Sequence, residues 1–140
     1  MIKNNLFELL IKKQLNTIAS DKKFTQKDIK RLLKYINGDI FDDNCCLWSG
    51  YVTENKVSNY INFYLHGKKT SLHRLLYVNF VDELLDDEYI RFTCENKGKC
   101  CSINHMVKCK YNILPHFLTK KTDDKNNMNN LDLNLNLNLQ

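Results

Sequence analysis

Between Arg91 and His105 the chain places Cys94, Cys100, Cys101 and His105 within a single short loop. Soft ligands at this density constrain the fold before any periodicity does, because thiolate and imidazole groups gathered on one cation tie separate points of the chain into a tetrahedron. The spacings are Cys94-x5-Cys100 and Cys100-x4-His105, with Cys101-x3-His105 as the alternative. A loop of this kind offers three ligands to zinc and needs a fourth from a distant segment. Cys45 or Cys46, ahead of Leu47-Trp48-Ser49-Gly50, is the available donor. The cysteines left over, Cys109 and one member of each doublet, default to thiols packed in a core. A second zinc built from them would need a fourth ligand, and His116 is the soft residue in sequence range.

A chain of 140 residues with 43% apolar residues is expected to be one domain with appendages and a modest core. A structural zinc then matters energetically, since such sites in small zinc peptides are worth roughly 10–16 kcal/mol apparent at neutral pH. No apolar run has the length of a membrane span, and Met1-Ile2-Lys3-Asn4-Asn5 lacks the charged-then-apolar layout of a secretory signal. The expectation is an intracellular protein of cytoplasm or nucleus, neither secreted nor membrane-bound. In that compartment six cysteines read as ligands or free thiols before they read as disulfides. The net charge of +5 permits a nucleic-acid partner without demanding one, because binding depends on where positive charge clusters.

Leu6, Phe7, Leu9, Leu10, Ile11, Leu15 and Ile18 recur at helical spacing and predict an amphipathic helix over the first eighteen residues. Thr25 followed by Asp28 resembles a capping box with Asp in the usual Glu place; Ile29, Leu32, Leu33 and Ile36 form its apolar stripe, and Asn37-Gly38 supplies a left-handed stop. Lys22, Lys23, Lys27, Lys30, Arg31 and Lys34 read as a solvated helix face or as phosphate contacts, the former being the commoner outcome. In Asn59-Tyr60-Ile61-Asn62-Phe63-Tyr64-Leu65 the apolar residues alternate with polar and phenolic ones, which predicts a strand with two distinct faces. His66-Gly67 with Lys68 and Lys69 reads as a hairpin turn returning along Thr70-Ser71-Leu72. The face with Tyr60, Asn62, Tyr64 and the turn lysines suits a major groove and equally suits solvent.

A short helix is predicted from His73 to Phe80, then a solvated acidic turn over Asp82, Glu83, Asp86, Asp87 and Glu88, and a strand at Tyr89-Ile90-Arg91-Phe92. Met106 to Leu118 reads as a short helix or coil interrupted by Pro115. Composition changes at Thr119: an Asn-rich tract predicts disorder, and the alternation from Leu131 to Leu139 suits an added strand or a sticky segment. The expected organisation is a helical segment over 1–38, a zinc-bound domain over 39–118 and a low-complexity Asn/Leu-rich tail over 119–140.

With these residues laid out, the run from Cys45 to His105 resembles the His-Me finger (HNH-type, ββα-metal) endonucleases, in particular their zinc-stapled homing-endonuclease branch. Cys45 with Trp48 and Gly50 is similar to the family's opening Cys, Trp and Gly. Gly67-Lys68-Lys69-Thr70-Ser71-Leu72-His73-Arg74-Leu75-Leu76-Tyr77 resembles its hairpin turn and the following His-Arg-Leu-x-Tyr segment, and Cys94, Cys100 and His105-Met106 resemble its Cys, Cys and His-Leu zinc elements. The resemblance implies an α+β fold: a zinc-stabilised His-Me-finger-like domain of hairpin or sheet, zinc loop and short helices, preceded by two N-terminal helices. It implies a structural zinc on Cys45, Cys94, Cys100 and His105, and double-stranded DNA lying on the hairpin, contacted by Asn62, Tyr64, Lys68, Lys69 and Arg74. Homodimers are frequent in this branch, and domains of this kind recur in mobile elements, phages and large DNA viruses.

The chain departs from the pattern where catalysis is concerned. Phe92 stands where the family has the histidine that deprotonates the attacking water, and a phenyl ring accepts no proton. The magnesium-holding asparagine maps to Leu114, with Asn112 two residues early; the middle loop Asn and the following Pro are Ser102 and Ile103, and Gly98 is one residue extra. The resulting expectation is a zinc-binding, homing-endonuclease-like DNA-binding protein with impaired nuclease chemistry. Its alternatives are an active magnesium-dependent endonuclease with a relocated base, His73 being the first candidate beside His66 and His116, and a structural zinc domain for protein–protein contacts.

Overall fold

The computed structural model describes residues 2–111. The expectations for Asn112, Leu114, Pro115, His116, the end of the 39–118 domain and the 119–140 tail fall outside them. Met1–Cys109 forms one compact unit, and a second begins at Lys110, of which Lys110 and Tyr111 are described. The described part is a mixed α+β structure: helices α1 (Ile2–Lys13), α2 (Gln26–Tyr35) and α3 (Leu72–Phe80) among two-stranded sheets. Its strands are β1 (Ile36–Asn37), β2 (Leu47–Trp48), β3 (Thr53–Glu54), β4 (Asn59–Tyr60), β5 (Asn62–Leu65), β6 (Lys68–Ser71), β7 (Glu88–Phe92) and β8 (Met106–Lys110). They pair β1 with β2, β3 with β4, β5 with β6 and β7 with β8.

Helix α1 stops at Lys13, short of the eighteen residues its periodicity suggests. The chain leaves the helix because tertiary polar contacts take it over: the Gln14 amide donates to the Phe24 carbonyl and to Asn79 Oδ1, and the Leu15 N–H donates to the Asn79 carbonyl. Helix α2 begins as read, with Thr25 and Asp28 closing a reciprocal capping box. It ends differently. Ile36 is extended and opens β1, whose partners are Trp48 and Leu47, so the left-handed Gly38 follows a strand instead of stopping a helix. Ser49 supplies donors to the terminal Tyr35 carbonyl from both its N–H and its hydroxyl.

The hairpin β5–β6 turns through His66 and Gly67, both at positive φ, the pairing that a two-residue turn needs to follow strand twist. The strand anticipated from Asn59 to Leu65 is broken at Ile61 into β4 and β5, which pair with different partners. Ile61, Phe63 and Leu65 are buried while Tyr60 and Tyr64 are exposed, as a period of two requires. Tyr64 faces Lys69 across the hairpin, whereas Lys68 pairs with Leu65 and so stands on the other face at the turn end. The Ser71 hydroxyl caps α3, which is buried along most of its length.

Two expectations beyond α3 are corrected. Glu88 is buried and opens β7, its carboxylate accepting from the Leu85 N–H, so it does not belong to the solvated acidic turn. Met106–Lys110 is a strand, not helix or coil, because pairing with β7 outcompetes local preference. One core cluster joins Leu10 of α1, Ile29 and Leu32 of α2, Phe63 and Leu65 of β5, Leu72 and Leu76 of α3, and Met106. The first two helices are thus a wall of this unit.

Asn79 is the polar knot of that core. Fully buried, it donates to the Lys22 and Leu75 carbonyls and accepts from the Phe24 N–H and the Gln14 amide, so its capacity is nearly saturated. Asn79→Ala strands the partner groups without water, and the expected cost is about 3 kcal/mol, read as a fall in urea midpoint.

Candidate metal centre

The zinc-loop cysteines are placed by a backbone ladder between segment 40–48 and segment 99–105. The Trp48 N–H donates to the Lys99 carbonyl, the Cys101 N–H to Cys46, and the Ile103 N–H to Ile40. The Ser102 hydroxyl donates to the Asp42 carbonyl and the Asn104 amide to the Phe41 carbonyl, so side chains continue the same seam. From the other end, the Thr93 N–H donates to the His105 carbonyl and closes the loop at the end of β7. Gly98 lets this loop sit down: at φ +79 it packs so tightly on the Asn59 backbone that a Cβ would overlap the Asn59 carbonyl.

These contacts bring Cys45, Cys94, Cys100 and His105 together, with all four donor atoms within 4.8 Å of one another. His105 Nδ1 lies 3.6 Å from the Cys45 sulfur and 3.4 Å from the Cys100 sulfur. A zinc tetrahedron with ordinary bond lengths has thiolate-to-imidazole edges of about 3.6 Å, so these two edges match that ion. His105 Nε2 is 2.6 Å from the Asp43 carbonyl. A carbonyl only accepts, so Nε2 carries the proton and donates it there, leaving Nδ1 with a free lone pair aimed at the thiols. The cluster can hold a metal ion such as zinc.

Its electrostatics favour the same occupant. The Asn96 side chain, with help from the neighbouring donors, holds the Cys45 thiol down to about 7, whereas burial raises Cys94 and pushes Cys100 up to about 12. Three thiols this close cannot all ionise unless a cation neutralises them, so loading releases protons and apparent affinity falls with falling pH.

The doublets divide by environment. Cys46 and Cys101 are buried in or beside the core; burial pushes the Cys46 thiol up to about 11 and Cys101 well above the ordinary thiol range. Cys109 lies half-buried on β8, outside the four-donor group. His73 is also buried, and its Nε2 donates to the Cys100 carbonyl at 2.9 Å, fixing a ligand's backbone. Burial pushes it down to about 4, which keeps the ring neutral. The Phe92 ring meets His73 edge-on, with centroids 4.7 Å apart.

The residues read as DNA contacts are scattered over more than one surface. Tyr64 and Lys69 are exposed neighbours, Asn62 is half-buried on the same face, and Lys68 is exposed at the turn. Arg74 is engaged elsewhere: its guanidinium donates to the Leu85 and Glu88 carbonyls at 3.0 and 2.7 Å, anchoring the acidic turn. Sequence reasoning missed the Asp43 carbonyl and the Asn96 amide as partners of the donor set. A backbone carbonyl carries no residue signal, although Asn96 within the cysteine loop was a visible candidate.

Fold and site together define a small α+β unit built around a Cys3His cluster. The chain is similar to an uncharacterized protein of Acanthamoeba polyphaga mimivirus, at 52% identity over 112 residues that cover 77% of this chain. It spans about a third of that relative, 33% of its length. No family model and no solved structure matches the chain. Among the described residues no helix is long and apolar enough to cross a membrane.

Elemental analysis of purified protein is expected to give about one zinc per chain. Cys45→Ser and Cys100→Ser should lose it to a competing chelator at least about tenfold more readily, whereas Cys46→Ala and Cys101→Ala should keep it while lowering stability through lost packing.

Proposed function

We propose that the chain is a zinc-stapled His-Me-finger-like module that binds duplex DNA without efficient cleavage. The observation that carries this reading is the Cys3His cluster gathered from Cys45 and the 94–105 loop, with β7 and β8 paired on either side of that loop. In this reading β7 and β8 would be the two β elements of a ββα-metal unit. The β5–β6 hairpin adds an exposed Tyr64 and Lys69 beside Asn62, a composition suited to phosphate and base-edge contact.

The environment of Phe92 supports lost chemistry. A half-buried phenyl ring packed on His73 holds no water for attack on phosphorus. His73 is a poor substitute, being buried with its Nε2 proton given to the Cys100 carbonyl. The mimivirus relative agrees with an origin among large DNA viruses.

Zinc-loaded protein is expected to retard a labelled duplex, with the binding constant falling steeply as salt rises, and to leave supercoiled plasmid uncut with or without magnesium. Magnesium-dependent nicking would overturn the reading of Phe92, retardation of no duplex at low salt would overturn the duplex reading, and binding of neither duplex nor single strand would move the function to protein contacts. Phe92→His should shift the protein toward magnesium-dependent nicking if the scaffold is that of the family.

A further inference from the structure

Four of the exposed large hydrophobic side chains are tyrosines that line one groove beside the hairpin. Tyr35 is 42% exposed, Tyr51 82%, Tyr60 39% and Tyr64 58%. The groove, of about 610 Å³, has Trp48 among its lining residues and Arg31 and Lys69 as its cations, and among the described residues no carboxylate lines it. Trp48 stacks against Tyr35 with centroids 5.1 Å apart and an interplanar angle of 38°. Gly50 lies directly against that pair, since a Cβ there would stand 2.7 Å from Trp48 Nε1 and 3.1 Å from Tyr35. Burying these rings would be the ordinary outcome for a core; leaving four phenols open around an indole is what a stacking platform requires.

Arg31 joins this groove to a second concave surface lined by Lys27, Lys30, Lys34 and His66. Among the described residues the one carboxylate there, Asp28, is occupied by Thr25 and by Arg31 itself, so this lining is left net positive. Arg31 is held in place by an N–H donated to the Tyr64 carbonyl and by its guanidinium lying 4.3 Å over Phe63. A basic track thus runs along the outer face of α2 and opens onto an aromatic groove. A proline-rich peptide would use the rings but has no need of the lysines; a phosphate backbone uses both.

We infer that this groove and the adjoining face of α2 bind an unpaired nucleic-acid strand, with bases stacked on Tyr51, Tyr60 and Tyr64 and phosphates along Lys27, Lys30 and Lys34. The inference rests on the nucleic-acid reading above and names the state of the strand. Duplex bases are stacked on each other and offer no free faces to such rings, so the groove is selective for single-stranded or opened segments.

Trp48 is the single tryptophan of the chain and reports on the groove directly. Titrating the zinc-loaded full chain with an oligothymidylate of about twelve nucleotides is expected to quench its fluorescence. Tyr51→Ala, at a site too exposed to disturb folding, should weaken that binding about tenfold, and Tyr51→Phe should restore it. Replacing Lys27 and Lys30 together by Gln should lower the slope of log affinity against log salt by about 1.4, roughly 0.7 for each phosphate contact on a single strand. Duplex retardation without quenching or binding by the oligothymidylate overturns this inference and leaves the nucleic-acid reading standing. Binding of neither nucleic acid overturns both, and quenching by a proline-rich peptide in place of the oligonucleotide assigns the groove to a protein partner and overturns it.

Discussion

The bond from His105 Nε2 to the Asp43 carbonyl is small, yet the centre depends on it. It selects the tautomer that can face a cation, and it does so with a backbone atom that is itself placed by the seam between segments 40–48 and 99–105. That seam also carries Cys45 across about fifty residues of chain to meet the loop. A donor set assembled in this way is costly without its cation, because burial raises the Cys94 and Cys100 thiols while Cys45 is drawn down beside them. A cation such as zinc would resolve the conflict by neutralising all three, and would tie the segments that flank β2, β7 and β8 to one point.

The core and the centre are coupled through α3. Its Asn79 fastens the segment from Gln14 to Phe24, while its His73 holds the Cys100 carbonyl and packs on Phe92. One short helix therefore orders the N-terminal wall on one side and a ligand's backbone on the other. This explains why His73, attractive by residue type as a base, is spent on structure: burial keeps it neutral, and its N–H is already engaged.

The surface opposite in character is the face of α2 and the hairpin, where lysines and open tyrosines lie side by side. Arg31 belongs to both, and its contacts with Asp28, Tyr64 and Phe63 align the helix with the strand. Arg74, by contrast, is withdrawn from any ligand to hold the acidic turn.

Much of this was legible in the residues. The Thr25–Asp28 cap, the two-residue turn at His66-Gly67, the alternation of β5 and the helical run of α3 each follow from local chemistry, and so did the grouping of Cys94, Cys100 and His105 with a remote cysteine. Periodicity misjudged what long-range pairing decides: α1 ends early because Asn79 and Phe24 claim Gln14 and Leu15, Ile36 joins Trp48 instead of a last helical turn, and Met106–Lys110 becomes a strand beside β7. The doublets make the division plainest. Cys45 and Cys46, or Cys100 and Cys101, are identical in type and adjacent in sequence, so local chemistry determines only that a ligand lies in each pair. Which sulfur faces the cluster and which enters the core is decided by the direction each side chain takes from the backbone ladder, a property of the tertiary structure alone.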